Sequence, residues 1–249
     1  LENYFQPKVN PASGEVAGVE VLVRWHHPRD GLVMPVQFIP MAEEQGLIDG
    51  LTQVVLVDAL HQARQWQDDG MPLHIAVNVS MDSLAALEFA DFVADEVARA
   101  GLPMNHLVLE VTESRLMKDP RAALDILARL RLKRIGLSID DFGTGHSSLA
   151  QLRDIPFSEL KVDYGFVHGA WRDASLQAIF EASLGVARQL GMKTVAEGVE
   201  DRDDWDFLRA RGCDLAQGFF IGRPMPAAEL PEWMAQWEAR RRDLDLPPT

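Results

Sequence analysis

Residues 134–148 read Arg-Ile-Gly-Leu-Ser-Ile-Asp-Asp-Phe-Gly-Thr-Gly-His-Ser-Ser. An apolar, β-prone run ends there in two adjacent carboxylates, Asp140 and Asp141, before a loop with Gly143 and Gly145. Neighbouring side chains within a strand point to opposite faces, so the pair predicts a strand that ends at Asp140 and bends into the loop. Carboxylates turned toward one point repel each other unless a cation lies between them. Mg²⁺ or Mn²⁺ suits such oxygen ligands. The alternative interpretation of an isolated Asp-Asp pair is an acidic turn exposed to solvent, without a metal.

Length and composition favour a single α/β barrel with a sizeable core. The chain has 249 residues, of which 47% are hydrophobic and 25% charged. No apolar run approaches the ~20 residues that span a bilayer, and the single cysteine, Cys213, points to a reducing compartment. The net charge of −14 disfavours binding to bulk nucleic acid or to anionic membranes. It permits an anionic ligand where metal ions supply positive charge.

Strand-like and helix-like segments alternate along the rest of the chain. Segments 4–9 and 16–25 flank a short turn and predict an antiparallel hairpin. Later strands are predicted at 73–79, 106–112, 134–140, 159–162, 192–196 and 215–220, and helices at 36–45, 52–69, 81–100, 120–132, after 147, at 174–190, at 202–211 and from 227. Repeated strand–helix units imply parallel strands with helices outside them. We therefore expect a (β/α)8 TIM-like barrel whose first strand runs antiparallel to the rest.

Polar side chains recur where successive strands end. Barrel active sites lie at the carboxyl ends of the strands, and the residues expected there are Asn78, Glu110, Asp140, Asp141, Lys161, Glu197 and Gln217. Glu20 joins them from inside an apolar strand, where a lone carboxylate is costly unless it is paired or binds a metal. Arg24 shares the face of Glu20 by strand period and suits a phosphate. Any one of these could be an ordinary surface group, but their recurrence indicates a site.

Such a rim favours metal-assisted phosphoryl chemistry. Five oxygen donors can hold two divalent cations about 3.5–4 Å apart, which activates water and stabilises an in-line displacement. Lys161 could orient the attacking water or neutralise developing charge, and Glu197 could accept its proton or hold a metal through water. From the residues alone we predict metal-dependent hydrolysis of a phosphodiester or a phosphomonoester, with the substrate left open.

Motifs at these strand ends extend over nearly the whole chain, from Tyr4-Phe5-Gln6-Pro7 to Gly222-Arg223-Pro224-Met225-Pro226. The signature segment is Glu20-Val21-Leu22-Val23-Arg24-Trp25. The others are Phe38-Ile39-Pro40, Asn78-Val79-Ser80, Glu110-Val111-Thr112-Glu113, Asp140-Asp141-Phe142-Gly143-Thr144-Gly145, Leu160-Lys161-Val162-Asp163, Val195-Ala196-Glu197-Gly198-Val199-Glu200 and Gln217-Gly218-Phe219. Together they resemble the EAL-domain phosphodiesterases, which hydrolyse the bacterial second messenger cyclic di-GMP to linear 5′-pGpG.

The resemblance implies a role for each of these residues. A first Mg²⁺ or Mn²⁺ ion would be held by Glu20, Asn78, Glu110 and Asp140, and a second by Asp140 and Asp141, with Glu197 acting through water. The catalytic residues would be Glu20, Asp140, Lys161 and Glu197, with Lys161 contacting the nucleophilic water. The substrate-binding residues would be Gln6, Leu22, Arg24, Asp163 and Gln217. Glu113 would anchor the loop after Asp141, which in this family links the metal site to a dimer interface.

Three departures from the family pattern leave every implied metal ligand in place. Val21 stands where alanine is usual, on the face opposite Glu20. His146 replaces a usual tyrosine and could alter the packing of its loop, and Tyr164-Gly165 replaces a usual Arg-Ser pair, which could weaken a nearby salt bridge. We therefore expect an active phosphodiesterase. The alternatives are a catalytically silent cyclic di-GMP receptor and a phosphodiesterase for another dinucleotide.

No linker or change of composition divides the chain, so residues 1–249 are predicted to form one domain. Because the chain opens directly in a strand, we expect it to have been excised from a longer regulatory protein with an upstream sensory domain. The resemblance further implies a homodimer in the bacterial cytoplasm. Membrane anchoring of the full-length protein through other regions is left open.

Overall fold

A barrel of strands wrapped by helices is seen in the computed structural model, which describes residues 1–86, 88–113, 120–144, 149–244 and 246, without the side chains of 85, 120–122 and 149–151. Gly145 and His146 lie outside the described residues, so the expectation for the loop substitution at position 146 stays a prediction. The described strands are β1 (Glu2–Val9), β2 (Val16–His27), β3 (Gly31–Val33), β4 (His74–Asn78), β5 (Leu107–Thr112), β6 (Gly136–Phe142), β7 (Glu159–Val162), β8 (Lys193–Ala196), β9 (Leu215–Ala216) and β10 (Met225–Pro226).

Helices connect the strands on the outside of the barrel. In the described residues they are α1 (Pro35–Glu44), α2 (Ile48–Asp68), α3 (Phe89–Ala100), α4 (Pro120–Leu132), α5 (Leu149–Asp154), α6 (Tyr164–Val167), α7 (Ala174–Leu190), α8 (Arg202–Arg211) and α9 (Leu230–Arg240). Short 3-10 turns lie at Ser83–Ala85, Met104–His106 and Ala227–Glu229. Across the described ranges, none of these helices combines the length and the apolar character that crossing a bilayer requires.

The first strand closes the barrel. β1 pairs antiparallel with β2, where Gln6 faces Glu20, and antiparallel with β9, where Val9 faces Ala216. The remaining neighbours, from β2 through β4, β5, β6, β7 and β8 to β9, all pair in parallel. The predicted (β/α)8 TIM-like barrel with an antiparallel first strand is therefore confirmed.

Local capping explains why two helices were predicted to the residue. Asp173 caps α7 by accepting the backbone N–H groups of Ser175 and Leu176 at 2.8 and 3.2 Å, and Gly191 ends it at φ +70°. Asp201 caps α8 by accepting the N–H of Asp204 at 2.9 Å. Short polar N-cap residues and a glycine at the C-terminus of a helix are signals that can be recognised in the sequence.

Three segments differ from the expectation. The predicted loop after β2 contains β3, since Trp25 pairs with Val33. Of the helical stretches predicted over 81–100, the described residues contain a 3-10 turn at Ser83–Ala85 and then α3 from Phe89. The strand predicted at 215–220 ends at Ala216, because the chain turns at Gly218, where a Cβ atom would lie 2.2 Å from the Val199 nitrogen.

Strand β7 shows how the barrel separates its two faces. Leu160 and Val162 are fully buried in the apolar core between strands and helices, while Glu159 and Lys161 alternate with them and face the barrel interior. Both faces of this strand are thus buried, one among hydrophobic side chains and the other among charges. A lysine can occupy such a position only with carboxylate partners.

Buried Cys213 should resist thiol reagents in the folded protein. It is 4% exposed, and burial raises the pKa of its thiol to about 11, so roughly one thiol in a thousand is ionised at pH 8. We expect negligible labelling by Ellman's reagent at pH 8 and stoichiometric labelling in 6 M guanidinium, followed by absorbance. Rapid labelling of the native protein would contradict the burial of this side chain.

Candidate active site

The carboxyl ends of the barrel strands bring together the residues that the sequence predicted for the site. They are Glu20 (β2), Asn78 (β4), Glu110 (β5), Asp140 and Asp141 (β6), Lys161 (β7), Glu197 (directly after β8) and Gln217 (directly after β9). Parallel strands end at the same rim of the barrel, so residues far apart in the sequence meet there.

The ammonium group of Lys161 lies at the centre of this group. The residue is fully buried, and its Nζ atom lies 2.7 Å from Glu110 Oε2, 2.8 Å from Glu197 Oε1, 3.0 Å from Asp140 Oδ1 and 3.4 Å from Glu20 Oε2. Burial by itself lowers the pKa of Lys161, but the surrounding carboxylates outweigh burial and raise the pKa well above its ordinary value. Lys161 is therefore a charged lysine at neutral pH.

An irregularity in β6 turns Asp140 and Asp141 toward one point. The register between β6 and β7 shifts between Ile139 and Phe142, and Asp141 has φ +56°, a left-handed conformation that aspartate adopts more readily than most residues. The strand thus continues to Phe142, and the prediction that it ends at Asp140 was wrong. One carboxylate oxygen from each aspartate and one from Glu197 all lie within 4.8 Å of one another.

The carboxylates of the site are crowded and poorly solvated. Burial raises the pKa of Glu110 to about 8, and burial together with the charge of Asp140 raises that of Asp141 to about 6. Burial also raises the pKa of Glu197 well above its usual range. Burial acts in the same direction on Glu20, but the charge of Lys161 and the hydrogen bonds from Gln217 and Asn78 outweigh burial and lower the pKa of Glu20.

The donor set fits divalent cations. Five carboxylates, those of Glu20, Glu110, Asp140, Asp141 and Glu197, share the rim around a single central ammonium. Carboxylate and amide oxygens are the hard ligands that Mg²⁺ and Mn²⁺ prefer. Added positive charge would offset both the burial and the mutual repulsion that raise the pKa values of Glu110, Asp141 and Glu197, so this acidic cluster could bind metal.

Amide side chains fix the orientation of Glu20. Asn78 Nδ2 donates to Glu20 Oε1 at 2.9 Å, and Gln217 Nε2 donates to Glu20 Oε2 at 2.7 Å and to Gln6 Oε1 at 2.9 Å. Gln6 Nε2 in turn donates to the Gly222 carbonyl at 3.0 Å. The buried Gln217 Oε1 accepts no hydrogen bond from the described part of the chain, so it can accept one from a ligand or a water molecule.

The loop after Asp141 is tied to the end of β5. Glu113 Oε2 accepts the backbone N–H of Gly143 at 2.8 Å, which is the contact expected of a loop anchor. Gly143 has φ +99°, and a Cβ atom there would lie 2.8 Å from the ring of Phe166, so this position requires glycine. The implied coupling from this loop to a dimer interface stays a prediction.

Two predicted substrate residues stand apart from the carboxylate cluster. Arg24 donates to the carbonyls of Val23 at 3.1 Å and Leu22 at 3.4 Å, and its guanidinium lies 5.5 Å from the centre of the Tyr4 ring. Asp163 accepts the N–H of Gly165 at 2.9 Å and caps α6. The placement of Arg24 on the face of Glu20 stays a prediction, since strand period does not determine where a long side chain ends.

A second buried ion pair, which the sequence reasoning missed, lies beneath the cluster. Lys8 Nζ is 3.4 Å from Glu110 Oε1 and 3.2 Å from Glu159 Oε1, and all three residues are buried. Glu110 thus bridges two lysines, because its other oxygen contacts Lys161. The available signal was strand period, since Lys8 lies two residues after Gln6 and shares its inward face.

Lys8→Met should destabilise the barrel by about 3–5 kcal/mol, because it leaves buried Glu159 without its cation and buried Glu110 with Lys161 as its one remaining cation among the described residues. The free energy of unfolding, measured by urea titration, should recover in part when Glu159→Gln is added, since this removes the orphaned charge. Lys193→Met, at an exposed lysine of β8, is the matched control and should change stability by less than about 0.5 kcal/mol. A Lys8→Met variant as stable as the wild type would refute the ion-pair argument.

A cavity of about 300 Å³ opens beside the cluster. The predicted residues that line it are Gln6, Glu20, Leu22, Glu197 and Gln217. Tyr164 and Phe219 line it as well, although neither was assigned to the site from the sequence. Arg24 and Asp163 are not among the described residues of its wall.

Comparison with known proteins places this site in a family. A family model described as the EAL domain matches residues 1–224. The chain is 46% identical over 228 residues to the bifunctional diguanylate cyclase/cyclic di-GMP phosphodiesterase MucR of Pseudomonas aeruginosa, covering 91% of this chain and 33% of MucR. It is 35% identical over 237 residues to the cyclic di-GMP phosphodiesterase PdeR of Escherichia coli, covering 95% of this chain and 36% of PdeR. The chain spans about a third of the length of these relatives.

A solved structure agrees with the family match. The structure described as PaMucR phosphodiesterase in complex with c-di-GMP superposes with a TM-score of 0.87 at 46% identity, covering 92% of this chain and 93% of that one. The barrel, its strand-end motifs and the match over residues 1–224 lead to one conclusion. This chain belongs to the EAL domain family.

Proposed function

We propose that this chain hydrolyses cyclic di-GMP to linear 5′-pGpG. The observation that carries the proposal is the set of four carboxylates around buried Lys161, at the strand ends of an EAL-family barrel. MucR and PdeR, which this chain resembles, are both named cyclic di-GMP phosphodiesterases. The PaMucR structure was solved as a c-di-GMP complex.

Two divalent cations, Mg²⁺ or Mn²⁺, belong to the proposed site. The ligands of the first are Glu20, Asn78, Glu110 and Asp140, and those of the second are Asp140 and Asp141, with Glu197 through water. The division follows the family resemblance, and the close approach of Asp140, Asp141 and Glu197 supports a cation among these three carboxylates. When bound, the cations activate a water molecule and stabilise the charge of an in-line displacement at phosphorus.

The protein residues orient the attacking water and accept its proton. Lys161 Nζ, held by carboxylates on several sides, orients the attacking water and offsets the negative charge that develops on the phosphoryl oxygens. Glu197 accepts the proton, and its raised pKa makes it a stronger base than an exposed carboxylate. The water oxygen bonds to phosphorus, the bond from phosphorus to the ribose 3′ oxygen breaks, and that oxygen takes up a proton.

The substrate occupies the cavity next to the cluster. Gln6 and Leu22 form part of its wall, and Gln217 offers its unpaired Oε1 to the substrate or to a water molecule. Asp163 receives the hydrogen-bonding edge of a guanine once that edge displaces its contact with Gly165. Arg24 reaches a phosphate by moving away from the carbonyls that it contacts.

We further propose that residues 1–249 form one phosphodiesterase domain of a longer cytoplasmic regulatory protein that acts as a homodimer. The lengths of MucR and PdeR, each about three times that of the matched region, support a longer parent protein. The hydrogen bond between Gly143 and Glu113 connects the loop to the barrel next to Asp140 and Asp141. A dimer contact near the loop would therefore be coupled to these two metal ligands.

Removing divalent cations should abolish turnover. Protein stripped with EDTA should form no pGpG, and activity should return on adding Mg²⁺ or Mn²⁺, because the carboxylate cluster lacks enough positive charge without them. Chromatography follows the product, and Mn²⁺ electron paramagnetic resonance follows binding, with two ions expected per chain. Cleavage that persists in chelator would refute the metal-dependent mechanism.

A further inference from the structure

An aromatic side chain that the family pattern does not require stands in the wall of the active-site cavity. Tyr164 opens α6 and is 48% exposed, and it lines the cavity together with Glu197 and Gln217. The carboxylate cluster serves the phosphate of a dinucleotide. Tyr164 adds a flat apolar surface beside it, which is a different kind of contact.

The position of the Tyr164 ring is fixed through His168. The two rings stack with centroids 5.6 Å apart at an angle of 20°, and His168 Nδ1 lies 2.8 Å from Asp204 Oδ2. Asp204 is fully buried and also accepts the backbone N–H groups of Gly169 at 2.9 Å and Glu200 at 3.1 Å. The stacked pair is thereby anchored to a buried carboxylate at the start of α8.

A glycine beside the catalytic carboxylate holds the ring close to the reaction centre. Gly198 directly follows Glu197 and has φ +71°, and a Cβ atom there would lie 2.1 Å from Tyr164 Cδ2. Glycine is required both for this backbone conformation and for the close approach of the ring. Tyr164 is therefore held against the chain segment that carries Glu197.

We propose that Tyr164 is a stacking platform for one purine base of the dinucleotide, and so a specificity-determining residue of this site. The assignment rests on the proposed function, because cyclic di-GMP supplies the base. Nucleobases stack on aromatic side chains, and a ring already held in place loses little conformational entropy on binding.

The expected effect is a selective loss of affinity for substrates that carry bases. Tyr164→Leu, which keeps apolar bulk but removes the flat ring, should raise the calorimetric Kd for cyclic di-GMP in EDTA by about 5-fold to 100-fold. Under Mg²⁺ it should raise KM by a similar factor with kcat nearly unchanged, because stacking is the same in the ground and transition states. Tyr164→Phe should behave as the wild type.

Two controls separate stacking from general damage. Hydrolysis of an abasic analogue of the cyclic dinucleotide, a phosphodiester with hydrogen in place of both bases and therefore without any aromatic ring, should be equal in the wild type and in Tyr164→Leu. Trp171→Leu removes another exposed aromatic, 43% exposed and lying outside the cavity wall among the described residues, and should leave the Kd for cyclic di-GMP unchanged.

The outcomes distinguish this inference from the proposed function. Wild-type protein that does not bind cyclic di-GMP would overturn both together. Wild-type protein that binds, with Tyr164→Leu binding equally well, would overturn the stacking platform alone. Equal losses on cyclic di-GMP and on the base-free phosphodiester would also overturn it, because Tyr164 would then act on the reaction centre.

Discussion

Lys161→Met should lower the kcat for cyclic di-GMP by about 10²–10⁴-fold, the usual effect of removing a group that handles charge and protons in the transition state. Methionine keeps an unbranched side chain one heavy atom shorter than that of lysine and carries no charge. Among the described residues, Lys161 is the cation that contacts Glu20, Glu110, Asp140 and Glu197 together. Initial rates under saturating Mg²⁺, followed by chromatography of pGpG, measure the loss.

The same variant has a second readout that does not depend on turnover. In EDTA it should lose about 3–5 kcal/mol of stability, since the buried Glu20, Glu110 and Asp140 and the partly buried Glu197 lose their common partner. Added Mn²⁺ should therefore raise its melting temperature more than that of the wild type. Lys193→Met, at an exposed lysine, should match the wild type in both readouts. Full turnover by Lys161→Met would remove the lysine from the mechanism.

Glu20→Ala should abolish turnover while leaving a folded barrel. Removing residues that only support metal ligands costs about 10–100-fold in metal affinity, so removing a direct ligand should cost at least about 100-fold. The loss would also free Asn78 and Gln217 from the hydrogen bonds that they donate to Glu20. Mn²⁺ binding by calorimetry and pGpG formation by chromatography should fall together.

A matched acid elsewhere tests whether the effect is local. Glu15 lies exposed just before β2, near Glu20 in sequence but outside the cluster, and Glu15→Ala should keep both metal affinity and turnover. Circular dichroism should show native secondary structure in both variants. Glu20→Ala with wild-type activity would exclude Glu20 from the metal site.

The barrel could be predicted because its signals are local and repeated. Alternating strands and helices imply parallel pairing, and caps such as Asp173 and Asp201 mark where α7 and α8 begin. The convergence of Glu20, Glu110 and Lys161 also followed from topology alone, since parallel strands end at one rim. These inferences needed no knowledge of side-chain conformation.

The remaining features depend on tertiary contacts that the sequence pattern does not predict. The turn of Asp141 toward Asp140 arises from a register shift in β6, and no residue type in the sequence predicts that shift. The contact between Lys8 and Glu159 joins residues far apart in the chain, and either one alone looks like a surface charge. The place of Tyr164 depends on the room that Gly198 leaves beside Glu197.

The most direct test of the account is to incubate this chain with cyclic di-GMP and Mg²⁺ or Mn²⁺ and to identify the product by chromatography, beside an EDTA control and Glu20→Ala. The account predicts linear 5′-pGpG from the wild type with metal, and none from either control. Tight binding of cyclic di-GMP without any product would contradict it and would identify the chain as a receptor for the dinucleotide instead of a hydrolase.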